Sequence, residues 1–263
     1  MSTQAQSVEN VQHCFDQFQN LVESLSAEQL EVQSLCPAWN LRGVILHVVG
    51  VEHALRDWHP QSEDEAPPFK LVGPFSEEHG GDGPEQLGEL TRRVFDRRRD
   101  NLAALASDDL DRRCMTPVGP ATYGQFLDVR TFDIWVHHRD ITTPLGIATD
   151  DSGPTAEATL DQIHNSLGYV VGKKIGLPEP MTIEFNITGP VTRTMRVAVD
   201  GRAKVVSELS EPPTVTVAAD SLTFSQLACG RIDPENAIAD GRISWSGNTE
   251  WGGRAAHNLA FTI

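Results

Sequence analysis

The sequence predicts an α+β chain in which a helical N-terminal domain is followed by a smaller domain of mixed α/β type. Three observations carry this. At 263 residues the chain exceeds one ordinary domain of about 100–200 residues. Up to Gly176 its apolar residues recur at helical spacing. After Pro180 the texture turns to alternating and β-branched runs separated by Gly, Asp and Pro. The expected boundaries are a helical domain over 1–176, a linker LPEP over 177–180, and an α/β domain over 181–263.

Val11, Phe15, Phe18, Leu21, Val22 and Leu25 give a first helix over 8–25. SLCPAWN breaks structure at Pro37, and Asn40 suits the N-cap of LRGVILHVVGVEHALRDW, a second helix with a wide apolar face that carries His47, Glu52, His53 and Asp57. Residues 60–84 are rich in Pro, Gly and acid and read as a long loop, the kind that borders binding sites. A third helix runs from Pro84 to about 106, with Arg92, Arg93, Arg97, Arg98 and Arg99 mostly outward and paired with Asp96 and Asp100. A fourth follows from Tyr123 to Asp140, with Thr122 as its cap and Pro144 as its limit. A fifth begins near Pro154, where proline suits a first turn, and ends at Gly176. Beyond the linker, MTIEFNI, RTMRVAVD, KVVSEL and TVTVAA read as strands, SLTFSQLACG as a short helix, AIADGRISWSG as turn and strand, and TEWGGRAAHNLAF as a last helix.

Composition narrows the function classes. Twenty-one Lys and Arg against 37 Asp and Glu leave a formal charge of −16, a field that repels phosphate backbones and anionic lipids. Neither nucleic acid nor a membrane is an expected partner. No apolar run approaches the ~20 residues of a membrane span, and the polar start MSTQAQSVEN lacks signal-peptide character. A cytoplasmic location is expected. Cys14, Cys36, Cys114 and Cys229 are scattered without C-x-x-C spacing, so they read as reduced packing thiols.

The densest chemistry lies in RTFDIWVHHRDITTP, residues 130–144. Asp133 and His137 are four apart, which puts their side chains about 5–6 Å from each other on one helix face. That pair offers a carboxylate oxygen and an imidazole nitrogen to a cation such as zinc. His47, stranded in the apolar run ILHVV, is the natural third ligand. Three protein ligands with an open position is the catalytic arrangement. Spacing alone also fits an intrahelical ion pair at Asp133 and a core histidine at 47. His138 points about 100° away from His137 and falls outside a shared ligand set, and it reads with His53 and His59 as surface or supporting. Arg130 and Asp140 sit where they could orient the ligands.

CPAWN at 36–40, His47 on the following helix and D-x-x-x-H-x-x-D at 133–140 together resemble the mycothiol-dependent maleylpyruvate isomerase family, an actinobacterial branch of the DinB-like metalloenzymes. The resemblance spans the chain, since TVTVAADSLTFSQLACGRIDPENAIADGRISWSGN is similar to the sterol-carrier-like domain appended in that family. It implies a DinB-like four-helix bundle holding a divalent ion, most often zinc, through His47, Asp133 and His137, with mycothiol as thiol cosubstrate. Asp133 stands where the best-known family member has glutamate, which bears on the identity of the metal. The resemblance also implies a catalytic arginine from the second domain that binds an anionic, electrophilic small molecule. ACGR makes Arg231 the candidate, with Arg242 next. Pro37 and Trp39 read as a plug at the bundle end. The implied activity is cis–trans isomerisation of a maleylpyruvate-type substrate or thiol S-transfer. A non-catalytic small-ligand binding protein, suggested by the sterol-carrier-like domain, is the reading from another class.

Overall fold

The computed structural model describes residues 4–262 and divides into two compact units, residues 1–149 and 150–263. The first contains α1 (Gln4–Ser24), a single turn α2 (Ala27–Leu30), α3 (Leu41–Leu55), α4 (Val72–His79), α5 (Pro84–Ala103), a hairpin of β1 (Arg113–Thr116) and β2 (Gly119–Thr122), and α6 (Tyr123–Thr142). Helix α1 packs on α5 and α6, and α3 packs on the same two, which closes a four-helix arrangement. Its interior is filled by side chains at helical spacing: Val11, Phe15 and Phe18 from α1, Leu41, Val44, Ile45 and Val48 from α3, Phe95 from α5 and Phe126 and Ile134 from α6, all fully buried. Each contributes roughly 1.5–3 kcal/mol by leaving water.

Local chemistry sets the starts of the two site-bearing helices. Asn40 Oδ1 accepts from the Gly43 amide at 3.0 Å and so begins α3. Thr122 and Gln125 form a capping box at the start of α6, the Thr122 hydroxyl accepting from the Gln125 amide at 3.2 Å and the Gln125 carbonyl oxygen from the Thr122 amide at 3.0 Å.

Two expectations are corrected in this unit. The stretch 60–84 is not one long loop, because it contains a 3₁₀ turn at Phe69–Leu71 and helix α4. Phe75 holds that helix on α3: it is buried, lies 4.7 Å from the His53 ring, and fits because position 50 is glycine, where a Cβ would come within 3.0 Å of it. The arginine-rich face of α5 is not wholly solvated either. Arg98 is fully buried, whereas Arg92, Arg97 and Arg99 pair with Glu23, Asp57 and Asp16.

The second unit opens with α7 (Gly153–Tyr169), continued by a π-helical stretch at Val170–Ile175 that stops at Gly176 with φ 72°. Then come β3 (Thr182–Thr188), β4 (Arg193–Asp200), β5 (Arg202–Val206), β6 (Val215–Asp220), α8 (Ser221–Ala228), α9 (Pro234–Ala239), β7 (Ile243–Gly247) and α10 (Thr249–His257). The sheet order is β5-β4-β3-β6-β7, with β3 and β6 parallel and the other pairs antiparallel. Ile183, Phe185 and Ile187 alternate inward along β3. Helix α7 packs on β4 and β5 and so belongs to this unit, whereas the sequence groups it with the bundle and sets the linker at 177–180. Among the described residues no helix is long and apolar enough to cross a membrane.

Candidate metal centre

Helix α3 presents His47 and helix α6 presents Asp133 and His137, one turn apart. The Nε2 of His47 lies 3.8 Å from Asp133 Oδ2, and the Nε2 of His137 lies 3.7 Å from Asp133 Oδ1. One ligand atom from each residue falls within 4.8 Å of the others. Donors around one tetrahedral zinc at about 2.1 Å stand roughly 3.4 Å apart, and each histidine nitrogen lies a few tenths of an ångström beyond that from its own carboxylate oxygen, His47 from Oδ2 and His137 from Oδ1. The nitrogen–oxygen–nitrogen donor set and its spacing fit a divalent ion. The centre is open on one side, because His47 and Asp133 are about a quarter exposed while His137 is 7% exposed.

The residues behind these three explain their arrangement. Asp133 Oδ2 accepts from Arg130 Nη1 at 2.9 Å, and Arg130 Nε donates to Glu52 Oε1 at 2.8 Å. The other Glu52 oxygen accepts from Arg98 Nε at 2.9 Å. The result is a buried row of alternating charge, Asp133, Arg130, Glu52 and Arg98, in which no charge stands alone. Burial opposes ionisation of Asp133, but the Arg130 guanidinium and the two imidazoles outweigh it and hold its carboxyl well below the usual carboxylate range. Burial likewise works against charge on Arg130, yet Asp133 and Glu52 raise its pKa above the ordinary guanidinium value.

On the far side of the His137 ring, Nδ1 donates to Asp140 Oδ2 at 2.8 Å, and the Cys36 thiol donates to the same oxygen at 3.0 Å. Cys36, His137 and Asp140 also lie close enough to be considered as an ion site. Their 2.8 and 3.0 Å separations are those of hydrogen bonds, tighter than the ~3.4 Å between ligands of one zinc. The Trp39 ring stacks on His47, with centroids 4.9 Å apart and planes 27° apart, and lies 6.1 Å from the ring of His137.

The structure therefore brings together His47, Asp133 and His137, with Arg130 and Asp140 against them. His138 stays apart from this cluster, and burial pushes its imidazole down to about 4. His53 packs on Phe75, and His59 hydrogen-bonds Asn101 at 2.8 Å. Three neighbours of the centre carry more than their sequence reading. Cys36 reads as packing and touches Asp140, Trp39 reads as an end plug and covers His47, and Glu52 is merely named on its helix. A carboxylate in the apolar run VVGVEHAL was the available signal for Glu52. Arg231 lies in the second unit, where its guanidinium donates to the Cys229 carbonyl at 2.8 Å. Arg242, in the same unit, is 3.4 Å from Asp240.

The model of the mycothiol maleylpyruvate isomerase N-terminal domain matches residues 11–142, and that of the SCP-2 sterol transfer family matches residues 179–257. Among solved structures, the mycothiol-dependent maleylpyruvate isomerase and a histidine-to-alanine mutant of it are each 13% identical to this chain, with 93% of both chains covered and a TM-score of 0.62. At that identity the likeness concerns the fold, a helical unit followed by a sheet-containing one. YfiT from Bacillus subtilis, described as a probable metal-dependent hydrolase with an unusual four-helix bundle topology, is 16% identical over 56% of this chain and 91% of its own, with a TM-score of 0.43. No curated protein matches the chain.

Proposed function

The chain belongs to the mycothiol maleylpyruvate isomerase N-terminal domain family and carries an SCP-2 sterol transfer domain behind it, and from that premise we propose that it is a divalent-metal-dependent thiol enzyme. In this reading His47, Asp133 and His137 hold the ion, most simply zinc, and mycothiol is the thiol cosubstrate. The observation that carries the reading is the convergence of these three side chains from two helices, with ligand atoms within 4.8 Å and one side open.

When bound, a divalent cation supplies Lewis acidity that favours the thiolate form of a coordinating thiol. Arg130 keeps the Asp133 carboxylate ionised and turned toward the histidines, and Glu52 keeps Arg130 in place. Asp140 holds the proton of His137 on Nδ1, which leaves Nε2 as the donor facing Asp133 and His47. In cis–trans isomerisation the thiolate sulfur adds to one carbon of a conjugated double bond, and the electron pair moves onto the conjugated carbonyl. Rotation about the new single bond and elimination of the sulfur then return the trans alkene and the thiol. In S-transfer the adduct is protonated and released instead.

Arg231 is our candidate for binding the carboxylate of an anionic electrophile, as a planar bidentate donor, with Arg242 as the alternative. A cytoplasmic setting accords with the need for a reduced thiol pool. The test is turnover by the metal-loaded chain of a maleylpyruvate-type cis alkene with and without mycothiol. Conversion is expected only when the thiol is supplied, and equal rates without it contradict the reading. The SCP-2 match favours one second reading, a small-ligand binding protein without turnover. That reading predicts saturable ligand binding and no conversion under any thiol.

A further inference from the structure

The two histidines of the centre are held by different means. His137 has a carboxylate on its Nδ1, the usual device for fixing a ligating imidazole. Among the described residues no group hydrogen-bonds the Nδ1 of His47. An imidazole without that bond turns readily, because χ2 of histidine is a broad, roughly two-fold torsion. Two rings lie against His47: that of His137, edge-on at 4.9 Å, and that of Trp39, nearly parallel at 4.9 Å and covering its face.

Trp39 is itself pinned. Its amide donates to the Cys36 carbonyl at 3.0 Å, closing a turn whose second residue is Pro37, a residue that pre-sets the φ such a turn requires. Its carbonyl accepts from the Ser34 amide at 3.2 Å, the Ser34 hydroxyl at 2.7 Å and Gln33 Nε2 at 2.7 Å. The Leu35 amide ties the same segment to α6 through the Asp140 carbonyl at 3.2 Å. In the first turn of α3, Gly43 gives the indole room, since a Cβ there would stand 2.9 Å from Trp39 Cβ and 3.2 Å from its Cγ. The string CPAWN thus reaches both histidines, through Cys36 and Asp140 to His137 and through Trp39 to His47.

We propose that Trp39 is a positioning residue for His47: the stacked indole takes the place of the missing hydrogen bond and holds the imidazole with Nε2 toward Asp133. The inference rests on the metal reading above. Trp39 is 36% exposed, and far-ultraviolet circular dichroism of each variant establishes that it is folded before its metal binding is read.

The experiment measures zinc affinity by chelator competition, and the visible spectrum of the cobalt-loaded protein, in the full chain and its Trp39→Leu and Trp39→Phe variants. W39L is expected to lose about ten- to a hundredfold in zinc affinity, the range found when support behind a metal ligand is removed, and to shift the cobalt bands. W39F, which keeps a stacking ring, is expected to stay close to the unmodified chain. If W39L binds zinc as tightly as the unmodified chain with unchanged cobalt bands, or if W39F is as weak as W39L, the inference is overturned while the metal reading stands. An unmodified chain that takes up neither ion overturns both.

Discussion

His137 Nδ1 and Asp140 Oδ2 are 2.8 Å apart, and the Asp140 side chain is fully buried. Three residues along the same helix, this pair decides which nitrogen of His137 carries the proton. Asp140→Asn replaces the anionic acceptor with an amide and is expected to lower zinc affinity about ten- to a hundredfold without altering helix content. Competition titration alongside far-ultraviolet circular dichroism measures both.

Glu52 is the shared partner of Arg98 and Arg130, and its side chain is fully buried. Glu52→Gln leaves two buried guanidinium groups short of an anion, which costs about 3–5 kcal/mol, read as a lower urea midpoint. Arg97, paired with Asp57 in solvent, is the control. Arg97→Ala is expected to leave the midpoint where it is.

Much of this arrangement was legible in the sequence, and what was missed has physical reasons. The bundle helices show because their buried faces repeat every 3.6 residues, as Val11, Phe15 and Phe18 do. Helix α4 was hidden because its support is tertiary, Phe75 lying on α3 at Gly50, while its own composition of proline, glycine and acid reads as loop. The β1–β2 hairpin was hidden by strands of only four residues. Asp133 and His137 announce themselves by spacing, and the burial of Arg98 does not. An arginine among arginines looks solvated until its partner Glu52, 46 residues away, is known. Trp39 and His47 are eight residues apart across a loop–helix junction, where no periodicity says that their rings meet.

Gly43 offers a probe of the Trp39 stack that changes neither ring. Gly43→Ala places a methyl group 2.9 Å from Trp39 Cβ, so Trp39 has to shift at its backbone and carry the indole with it. A fall in zinc affinity with α3 preserved is expected, measured by the same competition titration. Alanine is also the better helix former, which offsets part of the cost of that contact, so the midpoint of thermal unfolding is measured beside the affinity.

Burial pushes the Cys14 thiol up from 9.0 to about 12, against a smaller opposing pull from Arg139 and Arg130. The folded pKa exceeds the unfolded one, so the stability that the neutral thiol contributes is complete below pH 9 and is lost as pH rises toward 12. At pH 10 the loss relative to pH 8 is on the order of 1 kcal/mol. Urea unfolding of the chain and of Cys14→Ala at the two values isolates it, because the stability difference between them should narrow by that amount. Cys14 is also expected to resist alkylation at pH 8 in the folded chain.

Arg231→Ala separates substrate binding from metal binding. The expected result is a raised KM for an anionic electrophile with metal content unchanged, and unaltered kinetics would shift the role to Arg242.

The central claim is that His47, Asp133 and His137 hold one divalent ion, and metal analysis of the chain and its His47→Ala variant, both purified without chelator, tests it most directly. The account predicts about one ion per chain, as a three-ligand catalytic site holds, and its loss in H47A. A chain free of metal after exposure to zinc, or an H47A variant that retains the full complement, would contradict it.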